Sequence, residues 1–549
     1  MLTLSREEQK ALDKYLIKDC GVDLFILMEG AAHSICRFVL NKFTTDTKIR
    51  VFAGAGNNGG DAYAVARLLS AFYRDVAVYE TKEAKERCLS DTESATAKNR
   101  SLLKNLQIEV ELTDKYKVES DCLIIDGVLG SGFDIERELN PNLSDVLDKI
   151  VRAKQRNCKV LSIDIPSGVD ANTGHAIENA VHADYTVSFV YPKRGMSSYP
   201  GRDLAGEIII GNLGIPKSII NKFLNNYPEY LVRICDKDFV KEQKIERATD
   251  GHKGTFGKVL VVAGSSSMPG AALLACGAAL RSGAGLIKVF SSSNTCEAIN
   301  KRWPEVITYT RKIDFTDIVD NYRNNLEVIS DEVKQELENN DFDKFKSVLE
   351  QVDVCLMGPG LGATQKYAEW IKYAIKNAKI LILDADALNV IAESEEKDTY
   401  IRLCQQRVID HMMPVIMTPH PGEYIKLMPE LVNSSRMEQA MEMCRQWSVI
   451  LVLKGASTLT AIPQSNCQVR LFANSSGNNG LAKGGSGDVL AGLIAGLVAQ
   501  CKNEPKVVAL SVYIHGYAAD LLAERKNTRV ILPSDVIEAF SEVFDELAW

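Results

Sequence analysis

The first group of residues able to do chemistry lies in a glycine-rich turn near the start of the chain. The string Gly-Ala-Gly-Asn-Asn-Gly-Gly-Asp, residues 54–61, follows a β-rich run and precedes a helical pattern. Such a turn lets backbone amides approach an anion, and the helix dipole favours the negative charge. The string also fits Gly-x-Gly-x-x-Gly, and Glu80 ends the next predicted strand, as in a dinucleotide-binding unit. A tight turn without a ligand gives the same string, so both interpretations stay open.

Two acidic loops follow further along the chain. Asp126 begins Asp-Gly-Val-Leu-Gly-Ser-Gly, and Asp164 begins Asp-Ile-Pro-Ser-Gly-Val-Asp, each directly after a predicted strand. Open α/β sheets bind ligands at the carboxyl ends of parallel strands. Two carboxylates and an Asn at three such ends would bring acid–base groups and oxygen ligands together. The alternative is that each Asp only caps its own turn.

A third group lies near the end of the chain, where Gly-Gly-Ser-Gly-Asp, residues 484–488, opens an apolar helix. The amides of this turn can bind an anion, and Asp488 can take a proton from a substrate hydroxyl during phosphoryl transfer. Lys454, Asn479 and a Gly-Pro-Gly-Leu-Gly turn at 358–362 accompany it. A purely structural cap remains the alternative. The string Gly-x-x-x-x-Gly-Lys-Ser/Thr does not occur, which excludes a P-loop NTPase.

Two series of alternating strands and helices are predicted to position these residues. Residues 1–45 are predicted to form two amphipathic helices. The strands predicted after them are residues 49–53, 76–79, 122–126, 160–163, 185–190 and 207–210. The second series is residues 258–262, 286–290, 354–357, 380–383, 415–417 and 449–453. This alternation predicts βαβ units and mainly parallel sheets. The alternation of strands and helices stops between the two series. This break predicts one domain over residues 1–215, a linker over 216–238 and a second domain over 239–549. Residues 308–350, rich in Asp, Asn, Glu and Lys, are expected to form a solvated helical insertion.

Composition limits the possible partners and compartment. The 549 residues carry 64 Lys and Arg against 72 Asp and Glu, a net charge of −8, which disfavours a nucleic-acid partner. The 13 cysteines contain no Cys-x-x-Cys pair, which argues against zinc knuckles and disulfide frameworks. No signal-peptide pattern and no uninterrupted apolar run of about 18 residues appears. We expect a cytoplasmic protein that does not associate with membranes.

The glycine-rich turn at 54–61 and the two loops that begin at Asp126 and Asp164, in this order and spacing, resemble the signatures of the NAD(P)H-hydrate epimerase domain. The resemblance covers roughly residues 1–215. The resemblance implies a Rossmann-like, three-layer α/β/α sheet. It implies that Asn58, Asp126 and Ser167 ligate a potassium ion and that Asp164 contacts the substrate. It also implies that the hydrated dinucleotide is held by Asn57, Asn58, Gly59, Gly60, Asp61, Gly130, Ser131, Gly132, Phe133, Asp134, Ile135 and Glu136. Gly30 departs from the family, which more often has a larger polar residue there.

The chemistry of the hydrate explains why carboxylates are needed. Hydrated NADH or NADPH carries a hydroxyl on the ring carbon beside the nitrogen. Inverting that carbon requires transient C–O or C–N cleavage, with a proton delivered and removed by positioned groups. Our hypothesis is that Asp126 or Asp164 performs this proton transfer.

The second half resembles the ribokinase-like superfamily, in its NAD(P)H-hydrate dehydratase branch, over about residues 240–549. The motifs are His-Lys-Gly-Thr-Phe-Gly at 252–257, His-Pro-Gly-Glu at 420–423 and Ala-Lys-Gly-Gly-Ser-Gly-Asp at 482–488. The resemblance implies a ribokinase-like α/β/α domain with Asp488 as the catalytic base. The substrate contacts would be Ala271, Gly362, His420 and Asp488. ADP or ATP, with Mg²⁺, would be bound by Lys454, Gly455, Ala456, Ser457, Thr458 and Gly487. A loop histidine without a ligand is the alternative for His420.

Together the two halves predict a bifunctional repair enzyme, expected to be a homo-oligomer, that epimerises and then dehydrates hydrated NADH or NADPH. Phosphorylating the ring hydroxyl turns a poor leaving group into a good one, which explains a kinase-like site in a lyase. One alternative is a small-molecule kinase fused to a Rossmann-type oxidoreductase domain. Another is a non-catalytic nucleotide-sensing scaffold. These residues do not decide between ADP and ATP, or between the NADH and NADPH hydrates.

Overall fold

The computed structural model describes residues 1–137, 139–225, 232–247, 249–312, 331–465, 468–501 and 504–549. The chain forms two compact units, Met1–Val232 and Arg233–Trp549. This division falls inside the stretch 216–238, for which a linker is expected. There the helix Lys217–Asn225 buries Ile220 and Phe223 in the first unit, and the strand Val232–Cys235 joins the sheet of the second.

The first unit is built on a seven-stranded sheet with the order β3-β2-β1-β4-β5-β6-β7. Every neighbouring pair in it is parallel. Its strands are β1 Lys48–Ala53, β2 Val76–Glu80, β3 Val110–Leu112, β4 Cys122–Gly127, β5 Lys159–Ile163, β6 Tyr185–Phe189 and β7 Glu207–Gly211. Its α-helices are Arg6–Lys14, Leu24–Lys42, Asn57–Leu69, Lys82–Ser90, Ala95–Asn105, Pro141–Gln155, Gly201–Ala205 and Lys217–Asn225. The predicted strands of this half are therefore all present, with ends that differ by a residue, and β3 is one that the pattern missed.

Helices cover both faces of this sheet because successive strand residues point to opposite sides. Val51 packs in a cluster with the helices Leu24–Lys42, Asn57–Leu69 and Ala95–Asn105. Its neighbour Phe52 packs in another cluster with the helix Pro141–Gln155. The strand order reverses between β1 and β4, so the loops after these two strands enclose the crevice where such sheets bind ligands.

The second unit has a ten-stranded sheet in the order β11-β10-β9-β12-β13-β14-β15-β16-β17-β8. The pairs from β11 to β15 are parallel, and β15, β16 and β17 pair antiparallel. The strands are β8 Val232–Cys235, β9 Lys258–Val262, β10 Leu286–Ser291, β11 Ile307–Thr310, β12 Val354–Met357, β13 Ile380–Leu383, β14 Ile416–Met417, β15 Ile450–Leu453, β16 Leu459–Pro463 and β17 Val469–Asn474. The sequence pattern predicts six of them and misses β8, β11 and the antiparallel extension.

Helices cover both faces of this sheet as well. Val289 of β10 packs in a cluster with the helices Pro269–Arg281 and Ser486–Cys501, whereas Phe290 packs on Trp370 of the helix Ala368–Asn377. The α-helices of the unit are Lys237–Glu242, Pro269–Arg281, Ser293–Arg302, Asp331–Leu349, Ala368–Asn377, Asp386–Ala392, Lys397–Ile409, Pro421–Leu427, Arg436–Trp447, Ser486–Cys501, Lys506–Ala523 and Pro533–Leu547. The strand order reverses between β9 and β12, which places the crevice beside their loops.

The charged stretch 308–350 differs from the solvated insertion expected for it. Residues 313–330 lie outside the described part of the chain, but the stretch begins in the edge strand β11 and ends in the helix Asp331–Leu349. Phe345 of this helix is fully buried and stacks on Trp370 at 4.8 Å between ring centroids. The expected helix is therefore present, but the expectation of a solvated segment was wrong for the face that carries Phe345, Val348 and Leu349, which is buried.

One described helix, Leu24–Lys42, is long and apolar enough to cross a membrane by composition alone. In this fold it buries Leu27, Ile35 and Val39 and packs on the helix Asn57–Leu69. Such burial is typical of a core helix of a globular domain. All cysteines of the described residues are free thiols.

Candidate active sites

The glycine-rich turn after β1 is shaped by two close backbone contacts. A methyl group on Gly54 would lie 1.8 Å from the carbonyl oxygen of Val128, in the loop after β4. One on Gly59 would lie 1.8 Å from the carbonyl oxygen of Gly54. The helix Asn57–Leu69 therefore starts directly at the crevice, and its first-turn residues Asn57 and Asn58 line a cavity. The turn thus lines a cavity in addition to reversing the chain, and its binding of a ligand stays a prediction.

Asp126, at the end of β4, is fully buried and holds the loop after β5. Its carboxylate accepts hydrogen bonds from the Ser167 hydroxyl at 2.6 Å, the Ser167 amide at 3.0 Å and the Ser162 hydroxyl at 2.8 Å. The Val128 amide donates a weaker bond at 3.3 Å. Burial raises the pKa of Asp126, and the hydrogen bonds from Ser167 and Ser162 oppose that shift. Asp126 thus joins two loops rather than capping its own turn alone.

The three residues proposed as potassium ligands come together around one carbonyl group. The Asn58 amide nitrogen donates to the carbonyl oxygen of Leu129 at 2.9 Å, and the Ser167 hydroxyl lies 3.2 Å from the same oxygen. Ser167 in turn contacts Asp126. Side chains that follow or end β1, β4 and β5 therefore meet here, and Asn58 presents its amide nitrogen to the carbonyl group. Carboxylate, hydroxyl and carbonyl oxygens are the donors that hard cations prefer.

A cavity of about 440 Å³ lies beside this cluster, and Asp164 is on its wall. The Lys193 ammonium lies 2.6 Å from a carboxylate oxygen of Asp164 and is itself fully buried. Lys193 also donates to the Ser188 hydroxyl at 3.3 Å. Asp126 is sealed behind the wall with no exposed surface, so of the two candidate aspartates Asp164 is the one that a substrate can reach.

Two further carboxyl groups, Asp13 and Asp61, line the same cavity. Burial raises the pKa of Asp13, and the charge of Asp164 adds to the shift. Burial also raises the pKa of Asp61 well above its usual range, with further contributions from Asp164 and Asp13. The resemblance includes Asp61 among the substrate contacts, whereas Asp13 and Lys193 were missed. No local motif marks these two residues, because only the fold brings them to Asp164.

The loop 130–136 is held in place by Arg6 from the first helix. Its guanidinium donates to the carbonyl oxygens of Ser131 at 3.2 Å and Phe133 at 2.5 Å and forms an ion pair with Asp170. Gly130, Ser131, Gly132 and Phe133 line the cavity, whereas Asp134, Ile135 and Glu136 lie beyond it. The predicted substrate loop is therefore partly at the cavity and partly outside it, and the arginine that positions it was missed.

Glu80 is not available to a ligand, which corrects the dinucleotide-type interpretation of the first motif. The Arg100 guanidinium pairs with both carboxylate oxygens of Glu80, at 2.6 and 2.7 Å, and the Tyr63 hydroxyl donates at 2.8 Å. Glu80 is 1% exposed. A carboxylate whose two oxygens already accept these hydrogen bonds is not free to bind a ribose hydroxyl, which is what the acidic residue of a dinucleotide fingerprint does.

Gly30, the departure from the family pattern, lies against the loop after β7. A methyl group at this position would come within 2.7 Å of the carbonyl oxygen of Leu213, which lines the cavity. The residue at position 30 therefore sets how closely that loop approaches the site.

In the second unit, Lys454 and Asp384 form the centre of the site. The Lys454 ammonium lies 2.8 Å from a carboxylate oxygen of Asp384, which follows β13. A methyl group on Gly487 would lie 3.4 Å from that ammonium nitrogen. Although burial disfavours its charged form, the carboxylates of Asp384 and Glu423 raise the pKa of Lys454. Asp384 has no signal beyond its Asp-Ala-Asp string and was not predicted as a site residue.

Asp488 lies in the first turn of the helix Ser486–Cys501, two residues after the helix start, so it is not the capping residue. Burial raises the pKa of Asp488 to about 7, and the charge of Asp384 adds to the shift while Lys454 opposes it. A base poised near neutral pH suits proton transfer.

The turn 358–362 gathers the remaining predicted substrate contacts. A methyl group on Gly358 would lie 1.8 Å from the carbonyl oxygen of Asp384, and one on Gly360 would lie 2.7 Å from the Ala271 side chain. The Gly362 amide donates to Asp386 at 2.8 Å, and Asp386 contributes to the raised pKa of Asp488. Ala271, Gly362 and Asp488 thus belong to one neighbourhood.

His420 and the loop 454–458 complete this site. The His420 Nδ1 caps the helix Pro421–Leu427 by accepting from the Gly422 amide at 2.9 Å, and its Nε2 lies 3.3 Å from Glu423. His420 is 55% exposed and remains accessible to a ligand. Arg436, which was missed, donates to the Lys454 carbonyl oxygen at 3.0 Å and packs against Gly455. Among the described residues, no three His, Cys, Asp or Glu side chains are grouped closely enough to hold a metal by themselves.

Comparisons with known proteins follow the same division of the chain. The model of the NAD(P)H-hydrate dehydratase family matches residues 259–542, and that of the YjeF-related protein N-terminus matches residues 24–195. The bifunctional NAD(P)H-hydrate repair enzyme Nnr of Thermofilum pendens is 30% identical over 535 residues, which cover 95% of this chain and 92% of that protein. The protein of the same name from Escherichia coli is 29% identical over 547 residues, with 98% and 92% covered.

A solved structure gives a further comparison. The ADP/ATP-dependent NAD(P)H-hydrate dehydratase of Bacillus subtilis, co-crystallized with ATP and Mg²⁺, is 29% identical. The match covers 58% of this chain and 99% of the Bacillus subtilis chain, with a TM-score of 0.44.

Proposed function

The chain belongs to the family of bifunctional NAD(P)H-hydrate repair enzymes, and from this premise we propose how its residues divide the work. It is a two-activity enzyme, an epimerase and a dehydratase of hydrated NADH and NADPH. We assign epimerisation to residues 1–215, dehydration to residues 239–549, and the S epimer as the substrate of the dehydratase. This membership replaces both the kinase-fusion and the scaffold interpretations.

For the epimerase, we propose Asp164 as the residue that transfers the proton of the ring hydroxyl. The observation that supports it is the carboxylate on the cavity wall, held by the buried Lys193 at 2.6 Å. The contact with Lys193 fixes this carboxylate at the cavity wall, where a proton acceptor for the ring hydroxyl has to lie. The turn 57–61 and the loop 130–136 would bind the hydrated dinucleotide.

We propose that Asp126, Ser167 and Asn58 hold a potassium ion in this unit. The donor set fits by its chemistry, because the Asp126 carboxylate contacts the Ser167 hydroxyl, which lies 3.2 Å from the carbonyl oxygen of Leu129. Asn58 donates its amide nitrogen to the same carbonyl and carries a further oxygen on that side-chain amide. When bound, the ion would supply positive charge that fixes these loops beside the cavity.

For the dehydratase, we propose Asp488 as the base that takes the proton of the ring hydroxyl while the hydroxyl oxygen attacks the terminal phosphoryl group of ADP or ATP. The amides at 484–487, at the start of the helix, would stabilise the charge on that group. Loss of phosphate and of a neighbouring ring proton then regenerates NADH or NADPH. Lys454, Gly455, Ala456, Ser457, Thr458 and Gly487 would bind the nucleotide, with Mg²⁺ on its phosphates. Ala271, Gly362 and His420 would contact the hydrate.

The test uses the purified chain and a mixture of both hydrate epimers with ADP or ATP, followed by the absorbance of the reduced nicotinamide. We expect complete conversion, which needs both activities. A plateau at the starting fraction of one epimer would contradict the epimerase assignment. A stable phosphorylated product would contradict the dehydratase assignment.

We also propose that the protein acts in the cytoplasm as a homo-oligomer on small molecules alone, without nucleic acid or membrane. Free thiols throughout the described residues support a reducing compartment. Light scattering of the purified chain tests the oligomeric state, and a monomer would contradict that part of the proposal.

A further inference from the structure

The epimerase cavity collects more carboxyl groups than the assignments above use. Asp13, Asp61 and Asp164 all lie on its wall. They reach it from separate elements: Asp13 from the helix Arg6–Lys14, Asp61 from the helix Asn57–Leu69 and Asp164 from the loop after β5. Neither the motifs nor the resemblance includes Asp13.

We propose that Asp13 is the acid partner of Asp164 in the epimerase reaction. It would hold the proton that the ring nitrogen needs when the ring opens. The proposal rests on the assignment of Asp164 as the base, and it adds the second proton-transfer group that inversion of a carbinolamine carbon requires.

The charges on the cavity wall distinguish the two aspartates. Lys193 is fully buried and lies 2.6 Å from a carboxylate oxygen of Asp164, so Asp164 has a cationic partner. Asp13 has a neutral partner instead, since the Gln9 amide nitrogen donates to it at 2.8 Å. The cavity wall also carries Lys10, which is solvent-exposed, and Glu83.

Three carboxyl groups beside one buried ammonium cannot all ionise without a net negative charge in a low-dielectric site. Burial raises the pKa of Asp13 and the charge of Asp164 adds to the shift, whereas the hydrogen bond from Gln9 and the charge of Lys193 oppose it. Burial likewise raises the pKa of Asp61. Burial thus favours the protonated form at Asp13 and at Asp61, and we assign the transferred proton to Asp13, which lies on the same cavity wall as Asp164.

The reaction balances with these two groups alone. Asp164 takes the proton of the ring hydroxyl, the bond between the hydroxyl-bearing carbon and the ring nitrogen breaks, and an aldehyde forms. The nitrogen takes the proton of Asp13. Rotation about the adjacent C–C bond presents the other face of the aldehyde. Ring closure returns both protons, so that neither a redox partner nor a net proton is consumed.

The test measures epimerisation by the full chain without ADP or ATP, so that dehydration cannot occur. One pure epimer is supplied, and the other is followed by chromatography over a range of pH. We expect Asp13→Asn to lower the rate constant by about 10²-fold, the usual contribution of one general acid. Asp13→Glu, which keeps a carboxyl group, should recover part of the rate. The matched control is Asp19→Asn, because Asp19 is exposed on the same helical segment.

The pH profile separates a proton-transfer role from a structural one. Asp13 must be protonated to act as the acid, so its ionisation should end the wild-type activity at high pH. Asn cannot ionise, so the residual activity of Asp13→Asn should lack this basic limb. A wild-type rate for Asp13→Asn would overturn the proposal. Equal losses for Asp13→Asn and Asp13→Glu with an unmoved profile would also overturn it. A wild-type rate for Asp164→Asn would instead refute the site assignment. Dehydration by each variant, with nucleotide added, verifies that the chain is folded.

Discussion

At the scale of single residues, Asp488 sets the pH dependence of dehydration. Its pKa is raised to about 7 by burial and by the carboxylate of Asp384. Below that pH the group is protonated and cannot accept the substrate proton, so we expect kcat/KM for dehydration to fall tenfold for each pH unit on the acid side. The measurement is a pH–rate profile with the dehydratable epimer and excess nucleotide. An acid limb near pH 4, the ordinary range of Asp, would contradict this role.

Ionised Asp488 should also lower the free energy of unfolding of the second unit. The folded state favours protonated Asp488, so the unfolded chain loses the proton at lower pH and the folded state becomes relatively less stable as pH rises from about 4 to 7. Asp488→Asn removes this penalty and should raise the Tm of the second unit by about 2 °C or more at pH 8, while abolishing dehydration. Thermal melts at pH 8 and at about pH 4, where the penalty is absent, provide the comparison. An equal gain at both values would assign the effect to packing.

At the scale of elements, the turn after β1 depends on one glycine far more than on its neighbour. A methyl group on Gly54 would overlap the carbonyl oxygen of Val128 at 1.8 Å, whereas one on Gly56 meets nothing within 4 Å. Gly54→Ala must therefore push the turn away from the loop after β4, and we expect epimerisation to fall by at least about 10²-fold, as for a misplaced site. Gly56→Ala is the matched comparison, because its methyl group meets no protein atom although Gly56 lines the cavity, so it should keep the turn in place and lose much less activity than Gly54→Ala. Equal rates for the two variants would show that the close approach is dispensable.

At the scale of the whole molecule, the two activities should be separable, since each site is built within its own unit. With mixed epimers and nucleotide, Asp164→Asn should stop at the starting fraction of the dehydratable epimer. Asp488→Ala should epimerise but produce no reduced coenzyme. A mixture of the two variant proteins should convert the whole substrate, because each variant supplies the activity that the other lacks. Loss of both activities in either single variant would contradict independent sites.

The sequence predicts local features well, because they depend on neighbours along the chain. The predicted core strands are present in both sheets within a residue or two of their ends, since buried parallel strands have a clear apolar pattern. Glycine-rich turns at strand ends mark both crevices, because only glycine permits such close backbone approach. The antiparallel hairpin β16–β17 and the apolar face of the helix Asp331–Leu349 were missed, because short strands and mixed polarity weaken the pattern.

What the sequence determined by itself is the family, the order of the two units, the two aspartates at strand ends and the aspartate at the start of the last glycine-opened helix. Only the tertiary structure decided which aspartate faces a cavity, that Lys193 pairs with Asp164, and that Glu80 is occupied by Arg100. It also placed Asp13 beside Asp164, far away along the chain. The physical reason is that burial and charge pairing act through space, so the reactivity of a side chain is set by neighbours that only folding supplies.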